Sequence, residues 1–379
     1  MSRIVNFIIV LIFFLSCSND LDINAEWEDI PVIYSILNSG SVNQSNTEHY
    51  IRVQKSYLGD FSASQMAQSE DSIYYSDNDI KIWAEKLFNN QVIDSINMDL
   101  VSNLEKDYGY FNNENHRVYK FNSLLTNDNG FPAYKFRINL LNEISNVLSS
   151  AEVDIVEPIR IRKWPTNNSQ STGLMKLGES NNPILNLEVN PSINGKMYRF
   201  FIRFKYIEVD ILSGLKDSLF VDWKFSPKIA TEYQLNGNSN LSIDFNINSI
   251  EFFQYLASVI PQKENIYRYT DGVYFQGSEE GDFGIVHPCI ELHFEILDPD
   301  MYNYFISQNS TGLVQNRPIY SNIENGVGLV SSISQFSFQN LKFDNKSNDS
   351  LAFGQFTKNL NFACFKEIGF GLDTVLDCQ

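Results

Sequence analysis

Tyr198-Arg199-Phe200-Phe201-Ile202-Arg203-Phe204-Lys205-Tyr206 sets large apolar side chains against basic ones in alternation. Successive side chains of an extended strand point to opposite faces. Tyr198, Phe200, Ile202, Phe204 and Tyr206 therefore share one face, and Arg199, Arg203 and Lys205 share the other. A strand with one apolar and one polar face belongs in an antiparallel sheet that covers a core on one side. The same period governs Tyr134–Leu140, Leu219–Phe225 and Ile290–Ile296, and shorter runs at Ile30–Leu37, Tyr50–Val53, Ile80–Phe88 and Ile155–Ile161. Asn89-Asn90, Asn127-Asp128-Asn129-Gly130 and Asn236-Gly237-Asn238 separate such runs, with residues that tolerate positive φ.

Two segments change period. Ser249–Ile260 places Ile250, Phe253, Leu256, Ala257 and Ile260 on one helical face, and Pro261 ends it. Asp298-Pro299-Asp300 reads as an N-cap followed by proline in the first turn, with Met301, Tyr304 and Phe305 as the apolar stripe. The polar, turn-rich stretch from Pro165 to Pro183 divides the chain. The expected fold is mainly β, with two antiparallel β-sandwich-like domains of immunoglobulin or fibronectin type, the second carrying two short helices. The expected organisation is a signal peptide at 1–16, a lipidated cysteine and tether at 17–28, an N-terminal β domain at 29–165, a linker at 166–183 and a C-terminal β domain at 184–379.

Composition narrows the function classes. The 379 residues carry 46 acidic and 28 basic side chains, a net charge of −18 that repels nucleic acid. Aromatics at 14% and charged residues at 20% exclude a disordered chain. Four cysteines in this length do not make a disulfide scaffold.

The N-terminus carries an address. Arg3 precedes an apolar run from Ile4 to Leu15, too short to span a bilayer and suited to a signal peptide. The run ends in Phe14-Leu15-Ser16-Cys17, which resembles a bacterial lipobox, with Phe14 in the place usually held by leucine. That resemblance implies cleavage before Cys17 and acylation of its thiol. Ser18-Asn19-Asp20-Leu21-Asp22 resembles the acidic tag that sends Bacteroidetes lipoproteins to the outer face of the outer membrane.

Three further stretches carry a family resemblance: His49–Gly59, Asn194–Glu208 and the segment Asn309–Leu329, which contains Asn316-Arg317-Pro318-Ile319-Tyr320 and Asn325-Gly326-Val327-Gly328. Together they resemble uncharacterised outer-membrane lipoproteins of the Bacteroidetes, across nearly the whole mature chain. The family implies a location and no catalytic residues. In physical terms Asn325-Gly326 and Gly328 mark a sharp turn before a strand over Val327–Ile333, with Asn322 bonding to backbone nearby.

Candidate chemistry is sparse. His287, Cys289, Glu291, His293 and Glu295 share one face of a strand by period 2, and the first four are candidate metal ligands. His287 and His293 are too far apart for one site, so any Zn²⁺ would need ligands from another strand. A solvent-facing polar strand is the simpler reading, and no metal or other cofactor is expected. Glu279–Asp282 and Asp77–Asp79 read as solvated turns, since neither matches a Ca²⁺ loop. Cys364 and Cys378 form a candidate disulfide, Cys289 is an alternative partner to either, and all three thiols reduced is the third case. Trp223 is expected in the core. Trp83, on the polar face of its strand, is a candidate ligand platform. Asp-Ser-Ile, Asp-Ser-Leu and Asp-Thr-Val triplets at 71, 94, 217, 349 and 373 resemble Bacteroidetes O-glycosylation sites, expected on exposed loops.

Serine-hydrolase, zinc-protease, Walker and dinucleotide motifs are absent. The expected function is therefore non-catalytic: a surface-exposed, lipid-anchored outer-membrane protein that binds or assembles at the cell envelope. One concrete form is an accessory subunit of a TonB-dependent transporter, with an outer-membrane protein as partner. A surface glycan- or peptide-binding module is the alternative, and an envelope hydrolase with paired carboxylates the third.

Overall fold

The computed structural model describes residues 28–40, 47–56, 62–105, 109, 116–127, 134–165, 174–178, 183–237, 240–270, 288–309 and 320–363. The signal peptide, Cys17, Trp27, His287, Cys364, Cys378, the turn 279–282 and most of 166–183 lie outside them.

The described elements are mainly strands. They run β1 (Pro31–Asn38), β2 (Glu48–Lys55), β3 (Ile80–Phe88), β4 (Gln91–Asn97), β5 (Asp99–Val101), β6 (Val118–Asn122), β7 (Lys135–Asn142), β8 (Val147–Asp154) and β9 (Ile161–Lys163). The second half adds β10 (Leu174–Met175), β11 (Ile184–Val189), β12 (Met197–Asp210), β13 (Lys216–Lys224), β14 (Lys228–Ile229), β15 (Ile243–Asn248), β16 (Ile266–Thr270), β17 (Ile290–Leu297) and β18 (Val327–Phe343). Helices are α1 (Ala63–Met66), α2 (Glu70–Ile73), α3 (Glu232–Leu235), α4 (Ser249–Val259), α5 (Pro299–Asn309) and α6 (Asn345–Phe353). No described helix is long and apolar enough to cross a membrane.

The alternating runs form the strands they predict, except Ile155–Ile161, and antiparallel pairing dominates. The main sheet follows the order β13-β12-β17-β18-β1-β2-β6-β5, with β10, β14 and β16 attached beside it. A four-stranded sheet, β4-β3-β7-β8, and a three-stranded sheet, β15-β11-β9, pack on it. The main sheet crosses the expected domain division. Parallel pairing of β1 with β18 sets Val32 opposite Val327 and Asn38 opposite Ile333. Strands from both sides of 166–183 therefore share one hydrogen-bonded sheet, and β9 pairs with β11 across the same stretch.

Beside two small clusters, two large ones nevertheless dominate the apolar interior of the described residues. One cluster gathers Ile33, Leu37, Ile82, Phe136, Ile138 and Ile155 with Val330, and the other gathers Val156, Phe200, Phe204, Phe252, Leu292 and Phe343. The change from one core to the other falls between Ile155 and Val156, upstream of the expected linker. This explains why Ile155–Ile161 is not a strand, as its alternation predicted. The segment crosses β18, and its amides bond to side chains there: Val156 N donates to Ser332 Oγ (2.9 Å) and Ile159 N to Ser334 Oγ (3.0 Å). Pro158 has no amide to offer a ladder.

Both expected helices are present. Asn248 caps α4 through its side chain, and Asp298 caps α5, its Oδ1 accepting from Met301 N at 2.8 Å. The period does not reveal α6, which starts at an Asp344 cap. In the second core Arg268 is fully buried. Its Nε and Nη2 donate to Glu208 Oε2 (3.0 and 2.6 Å), and its Nη1 and Nη2 donate to the carbonyls of Leu360 (2.6 Å) and Pro261 (2.8 Å).

A tyrosine-lined trough as candidate functional site

Strand period places Tyr34 and Ile36 of β1, and Tyr50 and Arg52 of β2, on the side of the main sheet away from the first core. Their neighbours Ile33, Leu37, Ile51 and Val53 face inward and are buried. Helix α5 lies across this outer side. Met301 and Tyr304 of the helix, with Leu329 of β18, close a cavity of about 690 Å³ over the strands.

The helix is held by its own first turn. Asp298 is buried, and its carboxylate accepts from Met301 N, from Ser331 Oγ (2.7 Å) and from Ser332 N (2.7 Å). Burial pushes its carboxyl up to about 6 against these three donors. Asp300 accepts from Tyr320 Oη and from Asn322 Nδ2 (3.0 Å). Asn322 also pairs with both backbone groups of Val330, at 2.7 and 3.0 Å. This is the backbone bonding expected of Asn322; Asn325 at φ 52° lies in the expected turn, whereas Gly328 at φ 126° is already the second residue of β18, paired with Ile33.

The polar groups of the trough are tied into place. Tyr34 hydrogen-bonds Tyr304, and burial pushes its phenol up. Glu48 takes Lys120 at 2.5 Å and the Tyr50 hydroxyl at 3.2 Å, and the lysine's hydrogen bond holds its carboxyl below the usual range. Arg52 Nη2 donates to Gln54 Oε1 at 2.6 Å. His49 is buried against Phe121 and donates from Nε2 to Ser123 O (3.0 Å), which leaves Nδ1 an unprotonated acceptor without a hydrogen-bond partner. Burial lowers its pKa, so the ring is neutral near pH 7. Three phenols, an aliphatic floor and a guanidinium suit binding. Among the described lining residues the carboxylate is that of Glu48.

The second constellation is the one the sequence singled out. Glu291 and His293 share a face of β17, and His293 Nε2 lies 2.9 Å from Glu291 Oε2. Ser337 of β18 faces His293 Nδ1 at 2.8 Å, and Lys205 reaches Glu291 at 3.3 Å. The imidazole stacks flat on Phe201 at 4.5 Å. Burial opposes ionisation of Glu291, yet its hydrogen bonds from His293 and Lys205 prevail and keep the carboxyl below the usual range. The group is largely buried on a sheet face where Arg199–Glu295 and Arg203–Asp222 pairs continue the polar ladder.

Cys289 does not share this face. The strand begins at Ile290, the register slips between Ile290 and Leu292, and Cys289 is packed in the second core. No group of three or more His, Cys, Asp or Glu side chains able to hold a metal occurs among the described residues. Trp83 is half-buried on the outer side of β3 and donates to Glu85 Oε1 at 3.2 Å. Trp223 packs against the second core beside Phe225 and Phe252. The described Asp-Ser triplets lie in α2, β4, β13 and α6 rather than in loops.

Sequence reasoning missed the trough, although one signal was present. Tyr34 and Tyr50 are aromatics at outward positions of two neighbouring strands, where a solvated face carries polar residues. A scan against protein-family models and a search of curated proteins return no match to the chain.

Proposed function

We propose that this chain is a non-catalytic lipoprotein of the bacterial outer membrane, anchored through Cys17, that holds a partner in the trough beneath α5. The observation that carries the binding role is the trough itself, with tyrosines exposed on a sheet face that a helix roofs over. Aromatic side chains with polar tips, and an arginine, are the residue types that dominate binding hot spots. An extended peptide segment of an envelope protein suits the open, mostly apolar floor better than a sugar, which would need several converging polar groups. A role as accessory subunit of a TonB-dependent transporter is one form of this reading.

The test is photo-crosslinking in intact cells with a benzophenone amino acid at Tyr50, against the same group at exposed Ile184, outside the trough. A protein adduct formed from position 50, absent from 184 and lost on Arg52→Ala is expected. Identical adducts from both positions would refute the assignment of the trough. Cys17→Ala is expected to release the protein from the membrane fraction, and its retention there would refute the anchor.

A further inference from the structure

Of the described hairpins with exposed apolar side chains, which also include β3–β4 with Phe88, Val92 and Ile93 on its strands, two carry them in the turn itself, where turn chemistry favours polar ones. One joins β12 to β13 and holds Ile211, Leu212 and Leu215 in water. The other joins β7 to β8, where Ile144 is 75% exposed, Leu148 45% and Val147 40%. The second tip is rigidly built. Asn142 Oδ1 accepts from the amides of Ile144 (2.9 Å) and Ser145 (3.1 Å), and Asn146 takes φ 57° to close the turn.

This tip is fastened where the chain enters the fold. Asn142 Nδ2 donates to Asp29 Oδ2, and Tyr75 donates to the other oxygen of Asp29 at 2.7 Å. From the other side, Asn325 Nδ2 donates to Leu148 O at 3.0 Å, and Ser149 Oγ donates to Asn325 O at 2.6 Å. Ile30 follows Asp29 by one residue and Val327 follows Asn325 by two, and both are exposed apolar side chains. An apolar end of the molecule thus surrounds the point at which residues 17–28 would leave it.

Resting on the anchor at Cys17 proposed above, we infer that the β7–β8 tip is a seat on the lipid bilayer, with Ile144 inserted among the acyl chains. Eleven residues separate Cys17 from Asp29, and these twelve Cα–Cα steps reach at most about 40 Å when extended. The seat is therefore within tether length of the membrane however the tether is arranged. The β12–β13 tip is not. β12 runs away from the start of β1, as the registers Met197 with Leu297, Leu297 with Ile333 and Val327 with Val32 require. That places the second tip on the order of 60 Å farther along the sheet.

The shape and charge of the tip identify its occupant. Three aliphatic side chains on a convex turn bury too little area for a stable protein interface, which needs about 1,000 Å². Shallow insertion of a few apolar groups is enough where an acyl anchor already supplies most of the affinity. Exposed Glu28, Glu143 and Glu324 rim the tip, so a zwitterionic surface suits it and an anionic one repels it.

Ile144→Trp and Leu212→Trp, each placed in the lipidated full chain, separate the two ends. The chains are reconstituted in phosphatidylcholine vesicles with or without bromine on the acyl chains. Emission is read against the wild-type chain, whose native tryptophans set the baseline. Several-fold stronger added quenching at position 144 than at 212 is expected. A chain that floats with the vesicles without quenching at 144, or with equal quenching at both positions, overturns the seat and leaves the anchor standing. Protection of residue 144 in native membranes but not in protein-free vesicles assigns the tip to a protein partner and also overturns the seat. A chain that does not float overturns the anchor and the seat together.

Discussion

Replacing Gly328 with alanine places a methyl carbon 2.0 Å from the carbonyl oxygen of Ile33, 2.8 Å from its carbonyl carbon and 3.0 Å from its nitrogen. All three are backbone atoms of β1, in register with Gly328 in the parallel β1–β18 pair. No side-chain rotation relieves such a contact, so β1 must move away from β18 at this point. Three costs combine. Alanine at φ 126° is strained, at least one ladder hydrogen bond opens, and Ile33, now 1% exposed, loses part of its burial in the first core. Together these amount to roughly 4 to 7 kcal/mol. Gly214 provides the control. It also has positive φ, at 71°, but a methyl there meets nothing within 4 Å, so Gly214→Ala is expected to cost only about 1 kcal/mol. Urea unfolding followed by tryptophan emission measures both, with a shifted midpoint at unchanged slope as the sign of a pure stability change. If Gly328→Ala costs no more than Gly214→Ala, β1 does not pair with β18 in this register, and the joining of the two halves into one sheet is refuted.

Arg268→Ala is expected to cost about 3 to 5 kcal/mol, because it leaves the carbonyls of Leu360 and Pro261 without this donor and the buried Glu208 with Lys263 alone. Lys263→Ala, which removes the half-exposed partner of the same carboxylate, should cost under about 1 kcal/mol in the same unfolding assay. The Asp298 carboxyl titrates near 6 in the fold against an ordinary value of 3.8, so the folded state holds the proton more tightly. Its contribution to stability is complete below pH 3.8 and is lost as pH rises through about 6. Asp298→Asn should remove that slope from a thermal-melt series between these pH values, and an unchanged slope would refute the assignment. His49 acts in the opposite sense: its pKa is lowered from 6.5, so stability should fall as pH drops below that value, and His49→Gln should abolish this loss.

The strands were legible because their sequences alternate apolar and polar side chains. β12, β17, β7 and β3 alternate cleanly, and their caps and turns use residues whose chemistry is local: Asn248 and Asp298 at helix starts, Asn325 and Gly328 at the entry to β18. What alternation cannot show is which strands meet. β1 and β18 are nearly three hundred residues apart, and nothing in either sequence names the other. The same limit applies to Cys289, whose expected place on a polar face assumed that period 2 began before the strand did. It applies to Ile155–Ile161 as well, where the sequence alternates but residues 155–159 are all buried, because the segment crosses between cores rather than joining a ladder. The trough was hidden for a related reason. Its floor comes from β1 and β2 and its roof from α5, so no single window of sequence contains it.

Three serines of β18 connect these observations. Ser331, Ser332 and Ser334 are fully buried in β18, on either side of Ile333 and next to the buried Leu329 and Val330. Ser332 Oγ donates to Leu37 O of β1 (3.1 Å) and accepts from Val156 N, while Ser334 Oγ donates to Gly40 O (2.8 Å) and accepts from Ile159 N. Ser331 Oγ and the Ser332 amide both bind Asp298, which caps α5. A larger side chain at these positions would block the passage of residues 155–159, and an apolar one would leave buried amides unpaired. The serines therefore do two jobs that the hydrophobic effect cannot do in either core. They let the chain pass from one core to the other, and they fix the helix that roofs the trough to the strand that borders its floor. The position of α5 over Tyr34 and Tyr50 thus depends on the same side chains that join the two halves. A change at the joint should alter ligand capture even though it touches no residue of the trough.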